Sequence, residues 1–311
     1  MLTPKERQII LRRVIKATRS DGVAGPFTPS ATLRMYAASA APLSGNVFVD
    51  TLCSEVRSYH PHSRVVVSSK NLSAGLSIQK QHVKIQKQPD LKWDKETCIG
   101  CVTLHTYVME PGENWDPRPP KHVDRVRRAL TKWMALGMRG LIVDLRKHSG
   151  GSFRPGLHAL GAHLLHGSPL LRWVRPNGTN GFDELLSYDG DHVVHTDLAK
   201  GTTLPVPVHV PLPVPVALLI GPRTSSSGEI IAACLHSKAG MRSFGAPTEG
   251  SLSVNEGYDL GFGMELILTT CIVCTTDGVC HTDERLFPDV ATDDPVSDAM
   301  KWLLLGPCLY S

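Results

Sequence analysis

The sequence has no apolar run long enough to cross a lipid bilayer. The apolar stretch at residues 215–221, "PVALLIG", is far shorter than the about 20 residues that a membrane-spanning helix needs. The N-terminal stretch lacks an uninterrupted apolar segment because Arg12, Arg13 and Lys16 divide it, so we expect no secretory signal. The sequence therefore predicts a protein without a membrane span.

A strong charge of one sign is also absent. The chain holds 33 Lys and Arg against 29 Asp and Glu, with a formal net charge of +4, and no block of basic residues or RNA-binding aromatic motif occurs. These features predict that nucleic acid is not a partner. No GxGxxG motif is present, and the "SGG" at 149–151 lacks the lysine of a P-loop, which disfavours nucleotide binding.

Cysteine is more frequent, with eight residues, and two CxxC pairs stand out: "CIGC" at 98–101 and "CIVC" at 271–274. A four-cysteine zinc site is one interpretation. Both pairs lie in strand-like apolar runs, however, where residues three apart point to opposite faces. We therefore predict that Cys98, Cys101, Cys271 and Cys274 bind no metal. Most of the cysteines are expected to be buried, reduced thiols of an intracellular, cytoplasmic protein.

The composition, 41% hydrophobic and 20% charged, is typical of a folded globular chain, and no internal repeat is visible. Residues 1–95 predict a small N-terminal region that is mostly helical, opened by the capping box "TPKE" at 3–6. An exposed strand or hairpin arm is expected at 77–88. Residues 96–311 alternate strand and helix patterns, which predicts an α/β domain with a largely buried sheet. Its segment 177–214 is expected to be mostly irregular.

Two glycine-containing turns follow the most apolar strands of this domain: "DLRKHSGG" at 144–151 and "GPRTSSSGE" at 221–229. Each turn leads from a strand to the N-terminus of a helix, where backbone N–H groups are unpaired and can bind a developing oxyanion. A serine in the first helical turn also lies in the positive field of the helix dipole. The two turns together predict a nucleophile and an oxyanion hole.

At these turns the chain resembles the C-terminal-processing serine peptidases, also called tail-specific proteases. The resemblance covers roughly residues 98–292, without a recognisable PDZ domain, and it implies a ClpP/crotonase-like catalytic domain. In that family a "DLRxNxGG" turn precedes an "SASE" nucleophile turn and a "GEPTxG" segment. The corresponding segments here are "DLRKHSGG" with His148 in place of Asn, "SSGE" at 226–229, "GAPTEG" at 245–250, "LILTT" at 266–270 and the dipeptide Pro288-Asp289.

The resemblance implies a role for each matching residue. Ser226 would be the nucleophile, and the backbone amides of Gly151 and Ser227 would hold the oxyanion. Glu229 would orient the turn. Without the resemblance, Ser226 could also be a helix N-cap, where serine is favoured. Gly151 is expected where only a residue without a Cβ lets the backbone approach the substrate carbonyl.

The general base departs from the family pattern. The family's lysine stands 25 residues after the nucleophile, and here that position is Ser251. Lys238 is 12 residues along the same helix, roughly 18 Å away at 1.5 Å per residue. Some relatives of this architecture, the tricorn-type proteases, use serine with histidine and an acid. Of the 14 histidines, His105 is the first candidate base and His62 the second.

Candidate acids are Asp283 and Glu284. The predicted function is a serine peptidase, an endopeptidase or carboxyl-terminal processing protease that acts on a protein or peptide and needs no metal or organic cofactor. The alternative is an inactive relative that binds a peptide or small ligand, as retinoid-binding members of the same superfamily do, because a serine without a base is a poor nucleophile. The oligomeric state stays open.

Overall fold

The computed structural model of the chain describes residues 2–40, 43, 46–67, 88–107, 121–165, 168–175, 182–188, 193–197, 214–236, 238, 240–275, 279–281 and 285–306. The helices formed by these residues are α1 Pro4–Asp21, α2 Ala31–Ala38, α3 Val47–Tyr59, α4 Lys121–Ala135, α5 Arg154–Leu164, α6 Ser227–His236 and α7 Pro295–Leu305. The strands are β1 Arg64–Val67, β2 Asp90–Asp94, β3 Ile99–Thr103, β4 Gly140–Asp144, β5 Ser168–Arg175, β6 Phe182–Tyr188, β7 Val193–Asp197, β8 Val216–Ile220, β9 Met241–Gly245, β10 Ser253–Gly261, β11 Met264–Cys274, β12 Cys280–His281 and β13 Val290–Ala291.

The chain divides into two compact units. The first unit comprises Met1–Val83, Val174–Asp183 and Ser253–Ile272, and the second comprises Lys84–Trp173, Glu184–Leu252 and Val273–Ser311. This division differs from the single cut expected between residues 95 and 96. The physical reason is strand pairing, because β1 pairs antiparallel with β11 and so brings a segment about 200 residues later into the first unit.

The first unit combines three helices with an antiparallel sheet. Helix α1 begins at the predicted capping box, in which Thr3 and Glu6 bond each other's backbone amides. Helices α2 and α3 follow it in the chain. Apolar side chains of α1, α2 and α3 form one core with residues of β10 and β11; they include Ile10, Val14, Leu33, Leu52, Leu260 and Leu266. The predicted helical N-terminal region is therefore confirmed.

The second unit contains a six-stranded sheet in the order β13-β9-β8-β4-β3-β2. The pairs β3–β4, β4–β8 and β8–β9 are parallel, whereas β2 pairs antiparallel with β3. Every residue of β4 and β8 is buried, as their continuous apolar sequences predict for strands covered on both faces. The expected α/β architecture is confirmed. Within the described residues, no helix combines the length and apolar character needed to cross a membrane.

The described part of segment 177–214 includes two strands that the sequence did not predict. Strands β6 and β7 pair antiparallel from Glu184 opposite Asp197 to Tyr188 opposite Val193. Cross-strand pairing satisfies the backbone of this polar sequence, and pairing between strands is not visible in residue periodicity. Most of the expected strand at 77–88 lies outside the described residues.

Among the described cysteines, one pair departs from the expected reduced state. Cys274 forms a disulfide with Cys280, because the two residues are direct partners where β11 pairs with β12. The other members of the CxxC pairs, Cys98, Cys101 and Cys271, are free thiols. Burial raises the pKa of the Cys271 thiol, so this side chain is held in its neutral form. The strand register places Cys280, six residues later in the chain, directly opposite Cys274.

Candidate active site

The candidate site lies where three neighbouring parallel strands end. β3, β4 and β8 run in the same direction, with Thr103 opposite Asp144 and Asp144 opposite Leu219. The carboxyl ends of parallel strands meet at one edge of a sheet, where sites commonly form. His105 follows β3, Gly151 follows β4 and Ser226 follows β8. Since neighbouring strands are about 4.8 Å apart, the backbones of β3 and β8 are separated by about 10 Å.

Ser226 has a strained backbone. Its φ angle is 51°, in the left-handed region that residues other than glycine rarely adopt. Its amide donates to the Glu229 carboxylate at 2.8 Å, and its carbonyl accepts from the amides of Glu229 and Ile230 at 2.8 and 3.0 Å. Such strain costs about 1–3 kcal/mol and is maintained where the surroundings hold it, typically at functional positions. A serine nucleophile on a sharp strand-to-helix turn has this conformation.

The structure does not support a helix-capping role for Ser226. An N-cap side chain accepts from the second or third amide of the helix. Here the amides of Gly228 and Glu229 donate to the backbone carbonyls of Ser225 and Ser226, at 2.9 and 2.8 Å. Within the described residues, the Ser226 hydroxyl has no hydrogen-bond partner, and the side chain is half-buried. The hydroxyl is available for chemistry.

Glu229 fixes the nucleophile turn to the next loop. Its side chain is fully buried. Besides the Ser226 amide, the carboxylate accepts from the Thr248 hydroxyl at 2.6 Å and from the amides of Gly250 and Ser251 at 2.9 and 2.7 Å. Four donors surround one carboxylate, which is how a buried charge is tolerated. Glu229 therefore has the orienting position expected from the resemblance.

Gly150 and Gly151 both have positive φ angles, 110° and 96°. A Cβ atom on Gly151 would lie 1.9 Å from the Tyr107 carbonyl oxygen, so glycine is required there for packing against Tyr107. This packing reason adds to the expected one, approach of the backbone to the substrate carbonyl, which stays a prediction. A Cβ atom on Gly150 would lie 3.5 Å from the Ser226 Cβ and 4.0 Å from its Oγ. Gly150 therefore keeps a side chain out of the space beside Ser226.

Backbone amides are available next to Ser226. In the part of the chain that the structure describes, the amides of Gly151 and Ser227 have no hydrogen-bond acceptor. Gly151 is held by a parallel bridge to Tyr107, and Ser227 is the first residue of α6. Unpaired amides at a helix start favour negative charge. These are the two amides that the sequence predicts as oxyanion donors, and that role stays a prediction.

His105 is paired with an acid that sequence reasoning missed. Its Nε2 lies 2.9 Å from Oδ2 of Asp90, at the start of β2. The two hairpin strands place Asp90 opposite Thr103, two residues before His105. The alternating pattern around "DLKWDKETCIGCVTLH" indicates two strands, but it does not give the register that places Asp90 beside His105. His105 and Ser226 make no direct hydrogen bond, and such bonds are often long in unliganded enzymes.

His148 is a buried neutral histidine beside the site. Burial and then the nearby His105 lower its pKa to about 4. Its carbonyl accepts from the Ser225 amide at 3.0 Å, and its ring lies against Gly228 at the start of α6. Nδ1 is buried and has no hydrogen-bond partner within the described ranges. His148, which replaces the family's asparagine, supports the nucleophile turn through its backbone.

Ser251, which stands at the position of the family's lysine, contacts a carboxylate. The Ser251 hydroxyl donates to Oε2 of Glu249 at 3.2 Å, and the Ser225 hydroxyl donates to the same oxygen. Ser251 is 8% exposed, so little free space remains there. Lys238 lies beyond the end of α6, and burial lowers its pKa. Neither residue places a base beside Ser226.

Three further residues, His62, Asp283 and Glu284, are candidates for the base and its acid partner. His62 belongs to the first unit, where its ring packs edge-on against His60 at a centroid distance of 5.8 Å. Asp283 and Glu284 lie outside the described residues. Within the described ranges, no group of three or more potential metal-ligating side chains forms a cluster. Their proposed roles stay predictions.

Comparison with known proteins adds three findings. The nisin-resistance protein of Lactococcus lactis is 28% identical over 168 residues, which cover 53% of this chain and about half, 49%, of that protein. A lipoprotein from Streptococcus agalactiae has a similar structure, with a TM-score of 0.66 at 19% identity over 97% of both chains. The photosystem II D1 C-terminal processing protease gives 0.60 at 14% identity, over 96% of this chain and 97% of its own.

The family model gives the most direct result. The model of peptidase family S41 matches residues 99–292, which include the nucleophile turn, the glycine turn and the Pro288-Asp289 dipeptide. This range agrees with the span of the resemblance noted in the sequence. The match covers more than half of the chain, and the chain therefore belongs to peptidase family S41.

Proposed function

We propose that the chain is a serine peptidase, an endopeptidase or a carboxyl-terminal processing protease, with Ser226 as its nucleophile. The observation that supports this most is the left-handed backbone of Ser226, with φ at 51° and the amide held by the buried Glu229. A strained serine with an unpaired hydroxyl is difficult to explain by stability alone. It is the expected arrangement for a nucleophile presented to a substrate carbonyl.

His105 acts as the general base in this proposal. As the Ser226 oxygen bonds to the peptide carbonyl carbon, its proton moves to His105, and the carbonyl oxygen becomes an oxyanion. The amides of Gly151 and Ser227 donate to that oxyanion. His105 then gives its proton to the leaving amine, and the acyl-enzyme is hydrolysed by water through the reverse roles. A positioned base contributes about 10²–10⁴-fold in rate, and one oxyanion donor about 10²–10³-fold.

The substrate class is inferred from the family and from the names of two similar proteins. An extended peptide adds alongside an exposed strand, the general way in which peptides bind next to sheets. The D1 processing protease, whose fold this chain shares, is named for cleavage at a C-terminus. The nisin-resistance protein, its relative by sequence, is named for resistance to the peptide nisin. Both names suggest polypeptide substrates, which we extend to this chain.

A second candidate function is peptide or small-ligand binding without catalysis. The observation that favours it is the Ser251–Glu249 contact, since it fills the position of the family's lysine with two groups that cannot act as a lysine base. In this case the strained turn would be inherited from a catalytic ancestor. The two functions differ in one measurable property, the nucleophilicity of Ser226.

A fluorophosphonate probe tests that property. We expect the native chain to be labelled at Ser226, with labelling lost in Ser226→Ala. Ser225→Ala is the matched control, because it removes the neighbouring hydroxyl and should leave Ser226 labelled. His105→Ala should reduce the labelling rate by about 10²–10⁴-fold. An unlabelled native chain would support the binding function. Label at Ser225 or Ser227 would contradict the assignment of Ser226.

A further inference from the structure

We propose that Asp90 orients His105 so that ring nitrogen Nδ1, rather than Nε2, takes the proton from Ser226. This inference rests on the proposed peptidase function and assigns both a positioning residue and a reacting atom. It starts from one contact, the 2.9 Å hydrogen bond between His105 Nε2 and Asp90 Oδ2.

The chemistry of the two groups decides where the imidazole proton lies. A carboxylate with half of its surface in water is ionised at neutral pH, and the Asp90 side chain is 47% exposed. An ionised carboxylate only accepts hydrogen bonds, so Nε2 must carry the hydrogen in this contact. In a neutral imidazole the other nitrogen then has the lone pair. Nδ1 of His105 has no hydrogen-bond partner among the residues that the structure describes.

The fold holds this contact through the sheet register. Asp90 is opposite Thr103 in the antiparallel β2–β3 pair, and His105 is two residues further along. Such diagonal neighbours on one face of a sheet are within reach of long side chains. Packing against a helix also holds β2 in place, because Trp93 stacks on Trp133 of α4 at a centroid distance of 5.8 Å.

The backbone on both sides of His105 is anchored as well. The Leu104 amide donates to the Asp144 carbonyl at 3.1 Å, which continues the pairing with β4 beyond the end of β3. Tyr107 forms the bridge to Gly151, and its carbonyl accepts from Ser152 at 2.8 Å. His105 is therefore fixed between two backbone attachments, and its side chain is only 7% exposed. A ring in this position does not rotate freely.

Burial makes the acid necessary for catalysis. When His105 takes a proton it becomes a cation with little access to water, and such a charge needs a partner. Among the described residues, Asp90 of β2 pairs with its ring at 2.9 Å, and the neutral His148 lies in the turn after β4. Of these two neighbours, Asp90 is the carboxylate. It therefore stabilises the imidazolium without itself taking the proton.

The proton balance is complete within these three residues. Ser226 loses its hydroxyl proton to Nδ1 while its oxygen bonds to the substrate carbon, and the C=O electron pair moves to the oxyanion. His105 now carries protons on both nitrogens, and the Nε2 proton stays bonded to Asp90. Nδ1 then gives its proton to the leaving amine as the C–N bond breaks. Asp90 is ionised throughout.

Nitrogen NMR of the histidine-labelled Ser226→Ala chain tests the assignment of the atom without any need for activity. We expect the His105 ring to show the tautomer with hydrogen on Nε2, with a slowly exchanging Nε2 proton that disappears in Asp90→Ala. The tautomer with hydrogen on Nδ1 would overturn the assignment.

Kinetics of the active chain test the catalytic contribution. Asp90→Asn keeps the shape and removes the charge, so kcat should fall by about 10²–10⁴-fold with KM little changed. Asp90→Glu should recover part of the loss. Glu96→Gln is the control, because Glu96 is exposed in the turn of the same hairpin and its side chain does not contact His105. A native kcat in Asp90→Asn would overturn the role of Asp90. A native chain that neither reacts with the probe nor cleaves peptides would remove the peptidase function, and this role with it.

Discussion

The two glycines after β4 provide a sharp test of how the site is built, because a methyl group at each position meets a different neighbour. Gly150→Ala places a Cβ at ordinary contact distance, 3.5 Å from the Ser226 Cβ and 3.8 Å from the Ser225 carbonyl oxygen. Its remaining cost is the positive φ of 110°, about 1–3 kcal/mol for a residue other than glycine. The variant should fold.

Gly151→Ala should cost more. Its Cβ would lie 1.9 Å from the Tyr107 carbonyl oxygen, and this oxygen also accepts the Ser152 amide at 2.8 Å. The backbone must move, which adds the loss of a hydrogen bond, about 1–3 kcal/mol, to the strain of the positive φ. We expect a total loss of about 2–6 kcal/mol in the free energy of unfolding.

Gly150→Ala should react more slowly with the fluorophosphonate probe than the native chain, even though it is the more stable of the two variants. The Gly150→Ala methyl would lie 4.0 Å from the Ser226 Oγ, in the space where a substrate carbonyl approaches. A displacement of about 1 Å costs about 10²-fold in rate, so the fluorophosphonate labelling rate should fall by about that factor. Labelling rate and unfolding midpoint are measured on the same samples. A Gly150→Ala chain labelled at the native rate would refute this account of the open space, and a Gly151→Ala chain as stable as Gly150→Ala would refute the Tyr107 clash.

The remaining predictions concern the groups that support the nucleophile turn. Glu229→Ala leaves the amides of Ser226, Gly250 and Ser251 without their acceptor, so the free energy of unfolding measured with denaturant should fall by about 3–5 kcal/mol. Glu229→Gln keeps an acceptor oxygen and should lose less. A loss below about 1 kcal/mol in Glu229→Ala would contradict this role. The pKa of His148 is about 4 in the folded chain against 6.5 for a free histidine, so below pH 6.5 the unfolded chain binds a proton that the folded chain does not. Stability should therefore fall by about 3 kcal/mol between pH 6.5 and 4 through this residue, and unfolding curves of His148→Asn should lack that part of the pH dependence.

Local chemistry explains which elements could be predicted from the sequence. The capping box of α1 and the buried strands β4 and β8 depend on residues next to each other in the chain, and all three are where the sequence predicts them. β6 and β7 were missed because their polar segments are stabilised by each other rather than by an apolar periodicity. The pairing of Cys274 with Cys280 was missed for the same reason, since strand register makes them neighbours.

The residues of the candidate site also differ in whether the sequence alone could identify them. Ser226, Gly151 and Glu229 belong to turns that each follow one strand, so their motifs could be recognised in the linear sequence. Asp90 and Glu249 could not be assigned in this way. Asp90 lies beside His105 only because β2 and β3 pair in one register, and Glu249 contacts Ser225 only because the loop after β9 folds back onto the nucleophile turn.

The sequence by itself determined the family and the order of the two glycine-containing turns, and it indicated Ser226 as the proposed nucleophile, because these depend on short segments whose backbone conformation is local. Tertiary structure alone decided the partners of these segments. It placed Asp90 on His105, three donors from residues 248–251 on Glu229, and Ser225 on Glu249. Hydrogen bonds between residues distant in the chain depend on strand register and on packing between turns, and neither is written in the spacing of residues along one segment.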